Sequence, residues 1–147
     1  MSEAQLKKAL YTASAVAIGG RNGHTRNIDG TVSFDLSVPK SMGGPGKEKT
    51  TTPEDLFATG YAACFGSACD HVAKNIMKVN VESIRISSDV TIGEDVAGGF
   101  ALEVRLHAQI KGLDAATVDK LIKTAHTVCP YSKAIKGNVK VMLEVEG

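Results

Sequence analysis

Three cysteines are the residues of this 147-residue chain whose type and spacing most directly suggest chemistry. Cys64 and Cys69 lie close together in the segment GYAACFGSAC, and Cys129 follows much later, in VCPYS. Cysteines serve proteins as disulfide frameworks, metal ligands, inert packing or reactive thiols. The function of the chain depends on which of these four uses applies.

The local sequence distinguishes the three thiols. On a helix, Cys64 and Cys69 are separated by about 140° and ~7.5 Å, which prevents a disulfide and is poor for shared metal binding. Cys69 is therefore expected to be inert. Cys129 precedes Pro130 at a predicted helix break, where free backbone N–H groups of a following short helix would stabilise a thiolate. For Cys64 and Cys129, inert packing remains open as an alternative.

The cysteine and histidine residues also suggest two other kinds of site, a zinc site and a catalytic cysteine–histidine dyad. His126 and Cys129 form one pair at metal-ligand spacing without a second pair, so structural zinc has little support. A cysteine–histidine dyad would use Cys64 or Cys129 as nucleophile and His126 or His71 as base. Nothing in the local sequence specifically favours this dyad.

Composition limits the class of protein. Hydrophobic residues make up 43% of the chain, and 17 Lys and Arg oppose 16 Asp and Glu. These values predict one globular domain over residues 1–147, with residues 1–8 as a polar lead-in, and no nucleic-acid surface. No apolar run is long enough to span a membrane, and we expect no signal peptide. We therefore expect a protein of the reducing cytoplasm, where thiols are kept reduced and structural disulfide frameworks are rare.

Apolar periodicity predicts the elements that position these cysteines. A long helix over 53–77 carries many small residues, so we expect another backbone to approach it closely. Asp114 is the predicted N-cap of a second helix, which is interrupted at Cys129, and a short helix covers 130–135. The order β-β-helix-β-β-helix-β predicts an α+β fold with a largely antiparallel sheet. Strands are predicted over 11–18, 31–38, 81–92, 100–110 and 139–145.

Two longer motifs carry a resemblance to a known family. The segments TTPEDLFATGYAACF and AHTVCPYSKAIKGN, together with LYTA and GGRNG near the start, resemble the organic hydroperoxide resistance (Ohr) branch of the OsmC-like thiol peroxidases. The resemblance covers nearly the whole chain. It implies an OsmC-like fold assembled as an intertwined homodimer, with two long central helices packed together.

The resemblance also implies roles for particular residues. Cys64 would attack the peroxide and Cys129 would resolve the product as a disulfide. Arg21 would lie beside the thiolate, and Glu54 would hold that arginine. No metal or other cofactor is implied; the reductant would be an external dithiol, expected to be a lipoyl group on a partner protein. The aromatic residues expected to line an organic-peroxide site are Phe57, Tyr61 and Phe65, with ordinary core packing as the alternative.

The spacing of Glu54 and Cys64 adds a hypothesis about assembly. On one continuous helix they stand ~15 Å apart along the axis, too far for one arginine to bridge within a subunit. We therefore expect an antiparallel partner helix to bring Glu54 of one chain to Cys64 of the other, unless the helix breaks near Gly60.

Alternative functions are an OsmC-type peroxidase of broader range, or a non-catalytic redox-sensing or ligand-binding module.

Overall fold

The computed structural model describes residues 3–146. Contacts within the chain divide it into two compact units, the first ending at Pro53 and the second beginning at Glu54. One domain over residues 1–147 stays a prediction. Of the predicted lead-in, residues 1 and 2 lie outside the described residues, and residues 3–8 contain neither helix nor strand.

The first unit contains a small antiparallel sheet. Strands β1 (Ala15–Ile18), β2 (His24–Asn27) and β3 (Ser33–Asp35) pair in that order. A short 3₁₀ turn, Gly20–Asn22, joins β1 to β2. Gly19 and Gly20 both have positive φ there, which glycine adopts without steric cost.

Both strand predictions in this unit were too long, and β2 was missed. β1 begins only at Ala15 because its pairing with β2 covers four residues. β2 reads HTRN, which has no apolar alternation; pairing with a strand on each side makes it a strand. The predicted apolar face of 31–38 is split, since Leu36 is buried whereas Phe34 is 46% exposed.

The long helix of the second unit is confirmed. Helix α1 (Pro53–His71) is unbroken, and a π-helical turn, Val72–Met77, extends it to the predicted end. Lys78, at φ 55°, closes the turn in the left-handed region. One face of α1 is buried in the core of its own chain, and the other leaves Ala63 and Ser67 exposed. A partner helix on this open face stays a prediction.

A three-stranded sheet completes the frame of the second unit. β4 (Ser83–Glu94) and β5 (Phe100–Lys111) form the predicted hairpin, paired antiparallel along its full length. β6 (Lys140–Val145) pairs with β5 in parallel. The expectation of largely antiparallel pairing is confirmed, since the pairing of β6 with β5 is the one parallel pairing among the named strands; it arises because two helices cross over between β5 and β6. The α+β class is confirmed.

The crossover places Cys129 at a corner. Asp114 caps α2 (Ala115–Val128) as predicted, its carboxylate accepting from the Thr117 N–H at 2.7 Å. The short helix α3 (Pro130–Ile135) follows directly, with Pro130 at its first position.

The core of the second unit lies between α1, α2 and the sheet. Its fully buried members include Phe65 from α1, Val72 from the π-helical turn, Leu106 from β5, and Leu121 from α2. Cys69 and Cys129 are also completely buried. Within the part of the chain that the structure describes, no helix is long and apolar enough to cross a membrane.

Candidate active site

Two cysteines that are distant in sequence meet in the second unit. The Sγ atoms of Cys64 on α1 and Cys129 lie 3.5 Å apart, with the Cys129 thiol donating to Cys64. Both are free thiols. A disulfide needs an S–S distance of roughly 2.05 Å, so closing the bond takes a movement of ~1.5 Å. The predicted contact between these sulfur atoms is confirmed; their chemical roles stay predictions.

Backbone hydrogen bonds hold Cys129 at the corner between α2 and α3. Its N–H donates to the Ala125 carbonyl at 2.8 Å, and its carbonyl accepts from the Lys133 N–H at 2.9 Å. Cys129 therefore ends one helix and caps the next. Its ψ of 123° is the extended conformation that a following proline favours. The Cys-Pro pair thus turns the chain and directs the thiol toward α1.

The electrostatic environment of Cys64 contains opposing influences. Burial raises the pKa of the Cys64 thiol, and a hydrogen bond from the Tyr131 backbone N–H lowers it. The sequence predicted that the free N–H groups of α3 would hydrogen-bond to the Cys129 sulfur, and this prediction was wrong. Cys129 is itself the cap residue and its side chain accepts no capping hydrogen bond, so the N–H of Tyr131 reaches Cys64 instead.

Cys69 lies outside this pair. Its side chain is completely buried, and burial raises its thiol pKa to about 12. A thiol of this pKa contributes only ~10⁻⁴ of thiolate near pH 8, and the thiolate is the nucleophile.

Alkylation of the native protein is expected to discriminate among the thiols. With iodoacetamide at pH 8, Cys64 should be modified first, because it is the only one of the three that is partly exposed. Cys69 should resist modification until the protein is unfolded in guanidinium, where all three should react. Peptide mapping by mass spectrometry measures this, and native labelling of Cys69 as fast as Cys64 would contradict the assignment.

A buried polar network lies beside the thiol pair. The Ser132 Oγ is 2.6 Å from the Tyr61 Oη and 2.8 Å from the His126 Nδ1. Ser132 is 2% exposed and Tyr61 is fully buried. Sequence reasoning missed this network. The available signal was that His126 and Ser132 flank Cys129 at three residues on either side.

The three aromatic residues predicted to bind substrate form one cluster. Phe57 and Tyr61 pack edge to face at 6.0 Å between ring centroids, as do Tyr61 and Phe65 at 6.4 Å. Tyr131 joins this cluster through Phe57 and Tyr61. Tyr61 and Phe65 are fully buried in the core, and Phe57 is half-buried. A role of these rings in binding substrate stays a prediction.

An open groove of about 490 Å³ reaches Cys64 from the surface. Val128 and Pro130 supply apolar walls, and His71 and Ser67 supply polar ones. The groove gives a small molecule access to the Cys64 sulfur. Its full lining is Cys64, Ser67, Ala68, His71, Val128 and Pro130.

The remaining predicted site residues are placed as follows. Arg21 lies in the 3₁₀ turn of the first unit, and Glu54 in the first turn of α1. Their predicted roles beside the thiolate stay predictions. Since α1 continues through Gly60, a break there as the explanation for the Glu54–Cys64 separation is wrong.

The cysteine–histidine dyad is not formed in the described structure. His126 bonds to Ser132, and His71 is 3.2 Å from the Asn75 amide. Between residues 3 and 146, no group of three or more His, Cys, Asp or Glu is arranged to hold a metal ion.

Comparison with known proteins places this chain in a family. The family model of OsmC-like proteins matches residues 45–144. The organic hydroperoxide resistance protein OhrB of Bacillus subtilis is 45% identical over 141 residues, covering 94% of this chain and 99% of OhrB. The organic hydroperoxide resistance protein of Xanthomonas axonopodis pv. citri is 43% identical over 93% of this chain and 95% of its own length.

A solved structure agrees with these relatives. The crystal structure of an organic hydroperoxide resistance protein from Legionella pneumophila superposes with a TM-score of 0.88 at 49% identity, covering 95% of this chain and all of that one. The predicted OsmC-like fold is thereby confirmed. From its fold and its full-length relatives, the chain belongs to the OsmC-like family, in the branch of the organic hydroperoxide resistance proteins.

Proposed function

We propose that the protein is a cysteine-based peroxidase that reduces organic hydroperoxides to alcohols. The observation that carries this proposal is the 3.5 Å contact between an accessible thiol, Cys64, and a buried second thiol, Cys129. A two-cysteine peroxidase needs one thiol that is accessible to the substrate and a second thiol close enough to form a disulfide with the oxidised first one. The names of the relatives point to the same class of substrate.

The first step is attack by the Cys64 thiolate on the terminal oxygen of the hydroperoxide ROOH. The O–O bond breaks, an S–O bond forms, and the alkoxide takes a proton and leaves as ROH. Sulfur is oxidised to a sulfenic acid while the peroxide is reduced. The Tyr131 N–H favours the thiolate, but burial opposes it, so a cationic group is needed for full activation. We assign this role to Arg21, oriented by Glu54.

The second step is attack of Cys129 on the sulfenic sulfur of Cys64. An S–S bond forms, the S–O bond breaks, and water leaves. An external dithiol then reduces the disulfide by thiol–disulfide exchange and is itself oxidised to a disulfide. We propose a lipoyl-type dithiol as this reductant, carried by a partner protein, with no metal or other cofactor.

Preference for organic peroxides follows from apolar contacts of the alkyl tail. Burying apolar surface is favourable by about 25 cal/mol per Å². We propose that the walls around Cys64 formed by Val128 and Pro130 contact the tail. We also propose that Phe57, Tyr61 and Phe65 form the aromatic part of the substrate site. Hydrogen peroxide, which has no tail, gains none of this energy.

Steady-state assays test the function. Purified protein is incubated with tert-butyl hydroperoxide and dihydrolipoamide, and peroxide consumption and alcohol formation are measured. Turnover with a kcat/KM higher than that for hydrogen peroxide is the expected result. Equal use of both peroxides would instead indicate an OsmC-type enzyme of broader range. Oxidation of Cys64 once, without turnover by any dithiol, would indicate a redox sensor and overturn the proposal.

The active site is also proposed to be shared between two chains of a homodimer. Because α1 is unbroken, Glu54 and Cys64 of one chain, ten residues apart (64 minus 54), are separated by roughly 15 Å along the helix axis. An antiparallel copy of α1 that crosses the first near the exposed Thr59, midway between these two residues, would bring Glu54 of one chain near Cys64 of the other.

Subunit mixing tests the shared site. Cys64→Ser and Glu54→Gln chains, each of low activity, are unfolded together in equal amounts and refolded. Half of randomly formed dimers are mixed, and each mixed dimer has one intact composite site, so about a quarter of the wild-type activity should return. Activity no greater than the sum of the two separate variants would contradict a shared site. Light scattering establishes the dimer independently.

A further inference from the structure

We propose that Tyr61, Ser132 and His126 are positioning residues that hold Cys129 against Cys64 for disulfide formation. The inference rests on the proposed function, since that function gives disulfide formation its place in the cycle. None of the three residues is itself assigned to attack the peroxide. They act through the chain segment that carries Cys129.

The network ties together the three helices around the thiol pair. Ser132 lies in α3, Tyr61 in α1 and His126 in the last turn of α2. The two contacts to Ser132, at 2.6 and 2.8 Å, connect the corner at Cys129 to the helices on either side of it. Tyr61 is also three residues from Cys64 on the same helix, so Ser132 links the two cysteine-bearing segments directly.

Ser132 can satisfy both partners at once. A hydroxyl has one proton to donate and two lone pairs to accept, so it donates to one neighbour and accepts from the other. Burial raises the pKa of Tyr61, and burial together with the Lys136 charge lowers the pKa of His126. Both effects favour a neutral phenol and a neutral imidazole. The network is therefore complete without any buried charge.

Cys129 is packed in the core, but hydrogen bonds do not tie its own side chain to a helix terminus. That side chain makes no capping hydrogen bond, and the backbone hydrogen bonds of Cys129 seen among the described residues run to the helices on either side of the corner. Contact with α1 is made by its sulfur, through the 3.5 Å approach to Cys64, and by its neighbours in α3. Among those neighbours, Ser132 makes a buried side-chain hydrogen bond to α1. Loss of that bond would leave the corner less restrained at the place where the Cys129 sulfur must move ~1.5 Å closer to the Cys64 sulfur to form the disulfide.

An assay without peroxide isolates the effect. The reduced protein is mixed with the aromatic disulfide dithiobis(nitrobenzoate). Cys64 attacks first, forming a mixed disulfide and releasing one nitrothiobenzoate. Cys129 then attacks the Cys64 sulfur, the internal disulfide forms, and the second nitrothiobenzoate leaves. Stopped-flow absorbance resolves the two releases as separate phases.

Two variants remove parts of the network, and one serves as a matched control. Ser132→Ala removes the central hydroxyl, and Tyr61→Phe removes one hydroxyl while leaving the Ser132–His126 contact in place. Thr124→Val removes a hydroxyl of α2 that donates to the Lys120 carbonyl at 2.9 Å and takes no part in the network. Thermal unfolding of all three variants reports the accompanying change in stability.

The expected result is a selective effect on the second phase. In Ser132→Ala it should slow about tenfold or more, with the first phase unchanged, because a misplaced reacting group lowers rate steeply. In Tyr61→Phe the second phase should slow severalfold more than the first. Thr124→Val should match wild type in both phases. With excess tert-butyl hydroperoxide, the slow variants should also accumulate more Cys64 sulfinic acid, detected by intact mass, because the sulfenic acid waits longer for Cys129.

Two outcomes would overturn the inference. A second phase as fast as wild type in folded Tyr61→Phe and Ser132→Ala would show that the network does not position Cys129. Slowing of both phases in proportion to lost stability would show a purely structural role. If Ser132→Ala does not fold, Tyr61→Phe decides. A fast, network-dependent second phase in a protein that does not reduce peroxides would refute the proposed function and leave the positioning role standing.

Discussion

Replacing Cys64 with alanine is expected to abolish peroxide turnover, lowering kcat/KM for tert-butyl hydroperoxide by roughly three orders of magnitude or more, as losses of catalytic nucleophiles do. No other thiol can substitute. Cys129 is completely buried, and Cys69 is buried with its pKa raised to about 12. The measurement is the steady-state rate with dihydrolipoamide as reductant.

Cys69→Ala is the matched control for this substitution. Like Cys64→Ala, it removes one thiol from α1, but five residues away, where the side chain faces the core. We expect its turnover to stay within a fewfold of wild type. Any cost should appear in the free energy of unfolding, as about 1 kcal/mol for a small cavity. Turnover that survived Cys64→Ala but was lost in Cys69→Ala would refute the assignment of the nucleophile.

Replacing Cys129 with serine is expected to separate peroxide attack from recycling. Cys64 keeps its access from the groove and its hydrogen bond from Tyr131, so the first peroxide should still be reduced. Without a second sulfur no internal disulfide forms, and turnover should fall on the order of a hundredfold. A single-turnover experiment should show one alcohol formed per chain, followed by arrest.

The fate of Cys64 in this variant gives a second readout. Intact mass should show sulfenic acid first and sulfinic acid as peroxide is raised, because no neighbouring thiol intercepts the intermediate. Adding a small thiol before the excess peroxide should restore slow cycling. Full multiple turnover in Cys129→Ser with dihydrolipoamide would show that the dithiol attacks Cys64 directly, and that Cys129 has no resolving role.

Local sequence signals predicted the second unit well. The Asp114 cap, the Cys129-Pro130 break and the alternation over 100–110 each depend on neighbours within a few residues. β2 could not be predicted in this way, because its polar residues become a strand only by pairing with β1 and β3. The parallel contact of β6 with β5 likewise depends on where two helices return the chain.

The candidate site shows the same division. The resemblance of the motifs was enough to predict that Cys64 and Cys129 meet. Which backbone N–H reaches which sulfur depends on fractions of an ångström at the α2–α3 corner, and no residue type specifies that. Ser132 was missed because a serine in a polar segment gives no sequence signal of burial. Its role is visible only in the structure, where it is buried and hydrogen-bonded to Tyr61 and His126.

The glycine at position 60 of α1 lowers helix propensity but leaves room for the Tyr131 side chain. A Cβ at this position would lie 3.1 Å from the Tyr131 hydroxyl oxygen and 3.2 Å from its ring. Alanine there would favour α1 by about 1 kcal/mol through helix propensity. It would also press on the residue whose main chain contacts Cys64. The Tyr131 side chain must yield by a few tenths of an ångström to admit this Cβ, so an attempt to thermostabilise the helix by filling its glycines should begin at a position other than 60.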